Sequence, residues 1–364
     1  MTIAKPGDST LTQPVKQTTD EQNTVLRKDT DLAKPSNVEL LKLKQGPGQK
    51  LESLDGILPS LSLMHPGGGN GDAGNVKKNQ AGQVVEVDYP NNTKRQFGYD
   101  SNGKLDKIVQ PSGEVDVLKN GQWTVDSTQP PPSGPGEGPG SSPISSRGGQ
   151  PDIVDASVGP DGTLNYSKHD GSKVNVFNDG TQTMVTKNLT MVNSDANGSV
   201  TEISYPNGDD RQFTYDQQTH QITGIIENGK TYTVKQQSTT NADGSKSSEY
   251  VILGPDGKPT GNTNPSVGSD GTYSFQDSSK NRVNINPDES QTINTESDGT
   301  IKKDPGGKTT EIDYPNGKSR KFSYNSSGQL DSITDADGKT YTYAGPLDEW
   351  VDSAGNPAKF SNPY

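Results

Sequence analysis

Catalysis needs titratable or nucleophilic side chains at workable spacings, and this sequence offers few sets. His65, His169 and His220 are its only imidazoles and it has no cysteine. No Ser-His-Asp or Cys-His arrangement and no thiolate metal site can be drawn through them. Gly224 to Thr231, GIIENGKT, fits the phosphate-binding pattern GxxxxGK[ST] letter for letter. That loop works when a helix follows and aims its N-terminal N–H groups at phosphate. Here a strand-like TYTV follows, and Asn228-Gly229 reads as a hairpin turn. Gly69, Gly71 and Gly74 spell GxGxxG with no βαβ pattern around them. Asn193, Asp195, Asn197 and Gly198 imitate the start of a calcium loop, but its twelfth position is Ser204 where a bidentate Glu is needed. The Asp-Gly pairs elsewhere are accounted for by hairpin chemistry. The reading is non-enzymatic: no catalytic residue, cofactor or metal is expected.

What remains are aromatics. Trp123, Tyr250 and Trp350 follow similar sequence blocks, and Glu249-Tyr250-Val251 is echoed by Glu349-Trp350-Val351. They are the candidate contacts for a ligand or partner, with an aromatic that closes the end of a sheet as the structural alternative.

These residues must be positioned by what surrounds them. Residues 311 to 343 carry Ile312 and Tyr314, Phe322 and Tyr324, and Tyr341 and Tyr343, each pair two apart and so on one face of a strand. Pro315-Asn316-Gly317, Ser327-Gly328 and Asp337-Gly338 separate them as turns. Leu330 and Ile333 break the two-residue period and predict a bulge or a change of face in the third strand. The stretch is thus a four-stranded meander, and it occurs three times, with Glu86, Tyr89, Phe97 and Tyr99 matching Glu202, Tyr205, Phe213 and Tyr215, and Glu311, Tyr314, Phe322 and Tyr324. An upstream unit of about three strands, residues 157 to 184, aligns without a gap to residues 266 to 293. The duplicated object is therefore a two-part module whose first copy lacks the upstream half.

The fold class is all-β, with repeated antiparallel hairpin and meander modules behind a disordered N-terminal tail. The tail is expected over 1–80, where aromatics are absent until the repeats begin. A capping box at Ser36 to Glu39 and the leucines from Leu40 to Leu58 predict short helices there. The first meander spans 81–126 and a Pro/Gly/Ser linker 127–152, expected to hinge it away from the rest. The second module covers 153–253, a short linker 254–265, and the third module 266–364.

The segment FSYNSSGQLDSITDADGKTYTY, with Tyr99-Asp100 and Tyr215-Asp216 in the earlier copies, resembles the YD repeat of the rearrangement-hotspot and teneurin-type proteins. The third copy has Tyr324-Asn325 instead, and Lys104 and Gln329 stand where the family has Arg. In that family many copies coil into a shell that encloses a toxin or stands at the cell surface. The resemblance implies hairpin repeats and an extracellular or cell-surface setting. It covers about a third of the chain, and three separated copies cannot close such a shell.

Only 25% of the 364 residues are hydrophobic, so one large core is not expected. A formal charge of -12 removes the counterion-release drive for nucleic acid. No run of 18 apolar residues predicts membrane insertion, and MTIAKPGDSTLTQP has no signal-peptide pattern. The expected function is a scaffold or interaction module for a protein or glycan at a surface. The alternatives are a glycan-binding wall protein and a shell-related fragment of a polymorphic-toxin effector.

Overall fold

A computed structural model describes residues 73–126, 151–240, 243, 245–295, 299–344 and 349–360. The expected short helices, most of the expected tail and the linker up to residue 150 lie outside them. The described chain is all-β and forms two antiparallel meander sheets. Among the described residues no helix is long and apolar enough to cross a membrane.

The first sheet has six strands in chain order: β1 (Asn75–Lys78), β2 (Val84–Asp88), β3 (Lys94–Tyr99), β4 (Leu105–Val109), β5 (Val115–Lys119) and β6 (Gln122–Val125). The second also runs in chain order. Its first upstream unit is β7 (Asp155–Val158), β8 (Leu164–Ser167), β9 (Lys173–Val176), β10 (Gln182–Val185) and β11 (Met191–Ser194). The second meander is β12 (Val200–Ser204), β13 (Asp210–Tyr215), β14 (Ile222–Glu227) and β15 (Lys230–Thr240), followed by β16 (Lys246–Leu253) and β17 (Pro259–Val267). The second upstream unit is β18 (Tyr273–Gln276), β19 (Arg282–Ile285), β20 (Gln291–Thr295) and β21 (Gly299–Lys303). The third meander is β22 (Thr309–Asp313), β23 (Ser319–Tyr324), β24 (Leu330–Thr334) and β25 (Thr340–Ala344), with β26 (Glu349–Val351) beside it.

The turns explain the Gly-rich composition. Most are three-residue loops rather than two-residue ones. At Tyr314-Pro315-Asn316-Gly317-Lys318, Tyr314 N–H donates to Lys318 O at 2.8 Å and Gly317 N–H to Tyr314 O at 3.0 Å. Only Gly317 takes positive φ, 80°, so the loop is a type I turn closed by a left-handed residue. Proline suits the first corner of such a turn because its φ is already set. Asn228-Gly229, with φ of 48° and 75°, is a two-residue turn between β14 and β15, which places the phosphate-loop look-alike on a hairpin. The bulge expected at Leu330 is present: Tyr324 pairs Leu330 while Ser323 pairs Ser332. The same shift recurs at Tyr99 and Tyr215.

Three boundaries differ from the expectation. Strand β1 lies inside the expected tail, because pairing along β2 lets Val76 reach the core. The expected short linker 254–265 holds most of β17, whose Thr263 is buried. It pairs with β16 and β18, so the second and third modules share one sheet. The first meander is not hinged away, and a core larger than the composition suggests joins it to the rest. Val87, Phe97 and Ile108 from the first sheet share a core with Leu164, Val176, Ile203 and Phe213 from the second. Gly74 N–H donates to Asn178 O across them at 3.0 Å.

Candidate functional site

The YD dipeptide is a fastening device. Tyr99, Tyr215 and Tyr324 donate their hydroxyls to the carbonyls of Val84, Val200 and Thr309 at 2.7, 2.7 and 2.8 Å. Each phenol thereby ties β3, or its equivalent, to the start of the preceding strand. The next residue caps the turn: Asp100 Oδ1 accepts from Asn102 N and Lys104 N, and Asp216 Oδ1 from Gln218 N and Thr219 N. Asn325 Oδ1 does the same for Ser327 N and Gln329 N. The task needs only an acceptor, which is why Asn replaces Asp in the third copy. These bonds hold the carboxyls of Asp100 and Asp216 below the usual carboxylate range, backbone hydrogen bonds being the largest cause.

The apolar face of each meander carries an arginine. Arg95 Nη1 donates to Tyr89 Oη at 2.6 Å and its Nε to Gln110 Oε1 at 3.1 Å. Arg211 Nη1 donates to Tyr205 Oη at 2.9 Å and pairs with Glu227. Arg320 donates through Nε and Nη2 to Asp335 Oδ1 at 2.8 and 2.6 Å. The recess beside Arg211, about 210 Å³, is lined by Asp209, Asp210, Glu227 and Glu289, and its cation is already matched by Glu227. Among the described residues no group of His, Asp and Glu is arranged to hold a metal ion.

How that face is covered decides where a partner could bind. The upstream unit of the next module lies on it. A methyl group on Gly162 would fall 2.8 Å from Cγ2 of Val76 and 2.9 Å from Cγ2 of Val87, so the β7–β8 turn sits in backbone contact with the first meander. Gly271, in the equivalent β17–β18 turn, approaches Val192 in the same way, at 2.6 Å. The ring of Tyr273 then packs 5.6 Å from that of Phe213, and Arg211 lies 4.7 Å from the centroid of Tyr273. Val87 and Ile203, equivalent residues of the first two meanders, are 0% exposed.

The third meander has no such cover among the described residues. Ile312 and Phe322 are half-buried where Ile203 and Phe213 are sealed. Only Phe360 stands in, stacked edge-on to Tyr341 at 5.1 Å with Arg320 5.5 Å from its centroid. Phe360 and Tyr343 remain 42% and 46% exposed. Tyr343 pairs across the sheet with Trp350, ring centroids 5.5 Å apart.

The three aromatics singled out in the sequence separate here. Trp123 is buried in the core and pairs with Leu118, so it offers no surface to a ligand. Its equivalents by strand register are Ile252, paired with Val234, and Trp350, paired with Tyr343. Tyr250 is two residues out of step, opposite Gln236, and packs half-buried against the core. Only Trp350 lies on the open face. Tyr343 and Phe360, which the sequence does not single out, are the exposed aromatics beside it, because exposure of a repeated aromatic depends on whether another unit covers it.

No family model matches the chain, and no curated protein matches it. Solved structures similar to it include the TCP10 domain of Danio rerio CPAP in complex with a peptide of Danio rerio STIL. That match has 15% identity, covers 65% of this chain and 97% of that one, and has a TM-score of 0.19. The Photorhabdus luminescens Tc holotoxin pore matches at 11% identity, over 72% of this chain and 14% of that chain, with a TM-score of 0.20. A TcdB2-TccC3-Cdc42 structure matches at 8% identity, over 77% of this chain and 20% of that chain, with a TM-score of 0.16. Scores this low establish no common fold.

Proposed function

We propose that the chain is a non-enzymatic β-repeat scaffold that binds another protein through the open face of its third meander, around Tyr343, Trp350 and Phe360. The observation that supports this is the contrast between repeats: among the described residues the face that is sealed at Ile203 and Phe213 is half-open at Ile312 and Phe322, while Tyr314, Ile333 and Tyr341 beside them stay buried. An apolar, aromatic face that the fold closes twice with a β-turn carrying a tight glycine is complementary to a third hairpin of that kind. The partner is therefore a protein that presents a β-hairpin with a small residue at its tip. The setting implied by the YD-like dipeptides is secreted or surface-associated.

A screen of the full chain against an array of extracellular proteins tests this. Tyr343→Ala and Trp350→Ala should each abolish the signal of any true partner, while Lys230→Ala, on the exposed strand β15, leaves it intact. Equal binding by all variants would count against the open face. A glycan-binding reading is favoured by one feature, the exposed Tyr343–Trp350 ring pair, since sugars stack on such rings. A glycan array on which the wild type binds and Trp350→Ala does not would replace the protein partner with a sugar.

A further inference from the structure

The opposite face of the second module holds a different anomaly. On it, Asn175, Thr183, Val185 and Met191 are 0% exposed, and Asn193 and Ser204 1%. They form two cross-strand rows: Asn175 faces Thr183, which faces Asn193, and Val185 faces Met191, which faces Ser204. Val185 and Met191 do not belong to the core that joins the two sheets. Thr183 and Asn193 bond each other at 2.8 Å, but both side-chain atoms of Asn175 and the hydroxyl of Ser204 are buried without a partner.

Stacking of repeats is not what closes this face. Lys77 and Lys302 occupy the position of Asn193, each paired with the repeat's glutamate as Asn193 is with Glu202. Lys77 is exposed and Lys302 half-buried. Val185 and Met191 are replaced in the third module by Asn294 and Thr300, so the apolar pair is peculiar to the second. The orphaned amide of Asn175 offers an NH2 group that donates and a carbonyl oxygen that accepts, so it can engage the C=O and N–H of a peptide backbone.

We propose that this face is the docking site of the chain's own leucine-rich segment, residues Val38 to Met64. Of the two long stretches outside the described residues, 127–150 contains Ile144 as its one large aliphatic side chain. The other carries Val38, Leu40, Leu41, Leu43, Leu54 and Leu58 among others. The chain also arrives at the right place. Gly74 N–H bonds Asn178 O in the turn that joins β9 to β10, at the border of the buried rows. Gly74 is ten residues beyond Met64, and an extended chain of ten steps reaches about 33 Å.

The absence of native cysteine makes the test direct, because Met191→Cys gives the full chain a single thiol. That thiol should react with a maleimide at least about tenfold more slowly than the thiol of Lys187→Cys on the exposed turn nearby, as expected of a site reached only by local opening. Changing Leu40, Leu41, Leu54 and Leu58 to Asp in the Met191→Cys chain should erase the difference. A thiol that is fast before those changes, or still slow after them, overturns the proposal. Amide hydrogen exchange keeps it testable if Met191→Cys does not fold. With Met191 native, the four Asp substitutions should accelerate exchange in β10 and β11 and leave β23 and β24 unchanged. No acceleration in β10 and β11, or equal acceleration in both regions, overturns it.

Discussion

Tyr99, Tyr215 and Tyr324 each spend the phenol hydroxyl on a carbonyl fifteen residues back, and that bond can be removed without disturbing the ring. Tyr215→Phe leaves the Val200 carbonyl short of a donor and should cost about 1 kcal/mol in chemical denaturation. The neighbouring turn acid should behave differently. Asp100→Asn keeps the acceptor that Asn325 supplies in the third copy but not the charge, so it should lower stability at neutral pH by less than Asp100→Ala. Titration separates two classes of carboxyl. Glu86 is held down to about 2 by hydrogen bonds from Gln96 and then Lys77. A lowered folded value means stability that is full above the ordinary 4.5 and is lost as pH falls toward 2. Asp116 goes the other way: burial raises its value against the pull of Gln110 and Arg95. The folded form then holds its proton longer than the unfolded chain, so Asp116 costs stability as pH rises through and above its ordinary 3.8. Asp116→Asn should therefore gain stability over the wild type at pH 7 and not at pH 3, as read by melting curves at both.

At the scale of the element, the glycines of the turns divide by what a side chain would meet. Gly317 and Gly162 have φ of 80° and 88°, so alanine at either pays the left-handed penalty of about 1–2 kcal/mol. Nothing lies within 4 Å of a methyl group on Gly317, while one on Gly162 meets Val76 and Val87. Gly162→Ala should cost a further 1–3 kcal/mol or so by overpacking, and the gap between the two variants measures the contact between repeats. Much at this scale is legible in the sequence. The period-two aromatics place the strands, and the Asn-Gly and Asp-Gly pairs place the turns. The broken period at Leu330 places the bulge. Strand β17 is not legible, because GKPTGNTNP has turn composition and becomes a strand only where neighbours on both sides supply its hydrogen bonds. The equivalence of Trp123, Ile252 and Trp350 is hidden for a related reason. The β15–β16 hairpin is far longer than its counterparts β5–β6 and β25–β26, so the Glu-aromatic-Val echo in the sequence falls out of step with the strand register.

For the molecule, the described parts of both sheets share one core, so they should unfold together. Ile203→Ala, at the centre of that core, should cost roughly 2–5 kcal/mol and shift one transition seen alike by Trp123 in the first sheet and by far-ultraviolet dichroism. Two separated transitions would mean that the contact at Gly162 is too weak to couple them. The open face of the third meander escaped the sequence reading because burial belongs to the pair of repeats and not to the motif. That dependence runs one way along the chain. Val76 and Val87 are closed by Gly162, and Val192 by Gly271, always by residues further toward the C-terminus. During synthesis each of the first two meanders therefore leaves the ribosome before its lid has been translated. It waits as a bare half-sheet for the next module, a window in which chaperones or neighbouring nascent chains compete for the same apolar stripe.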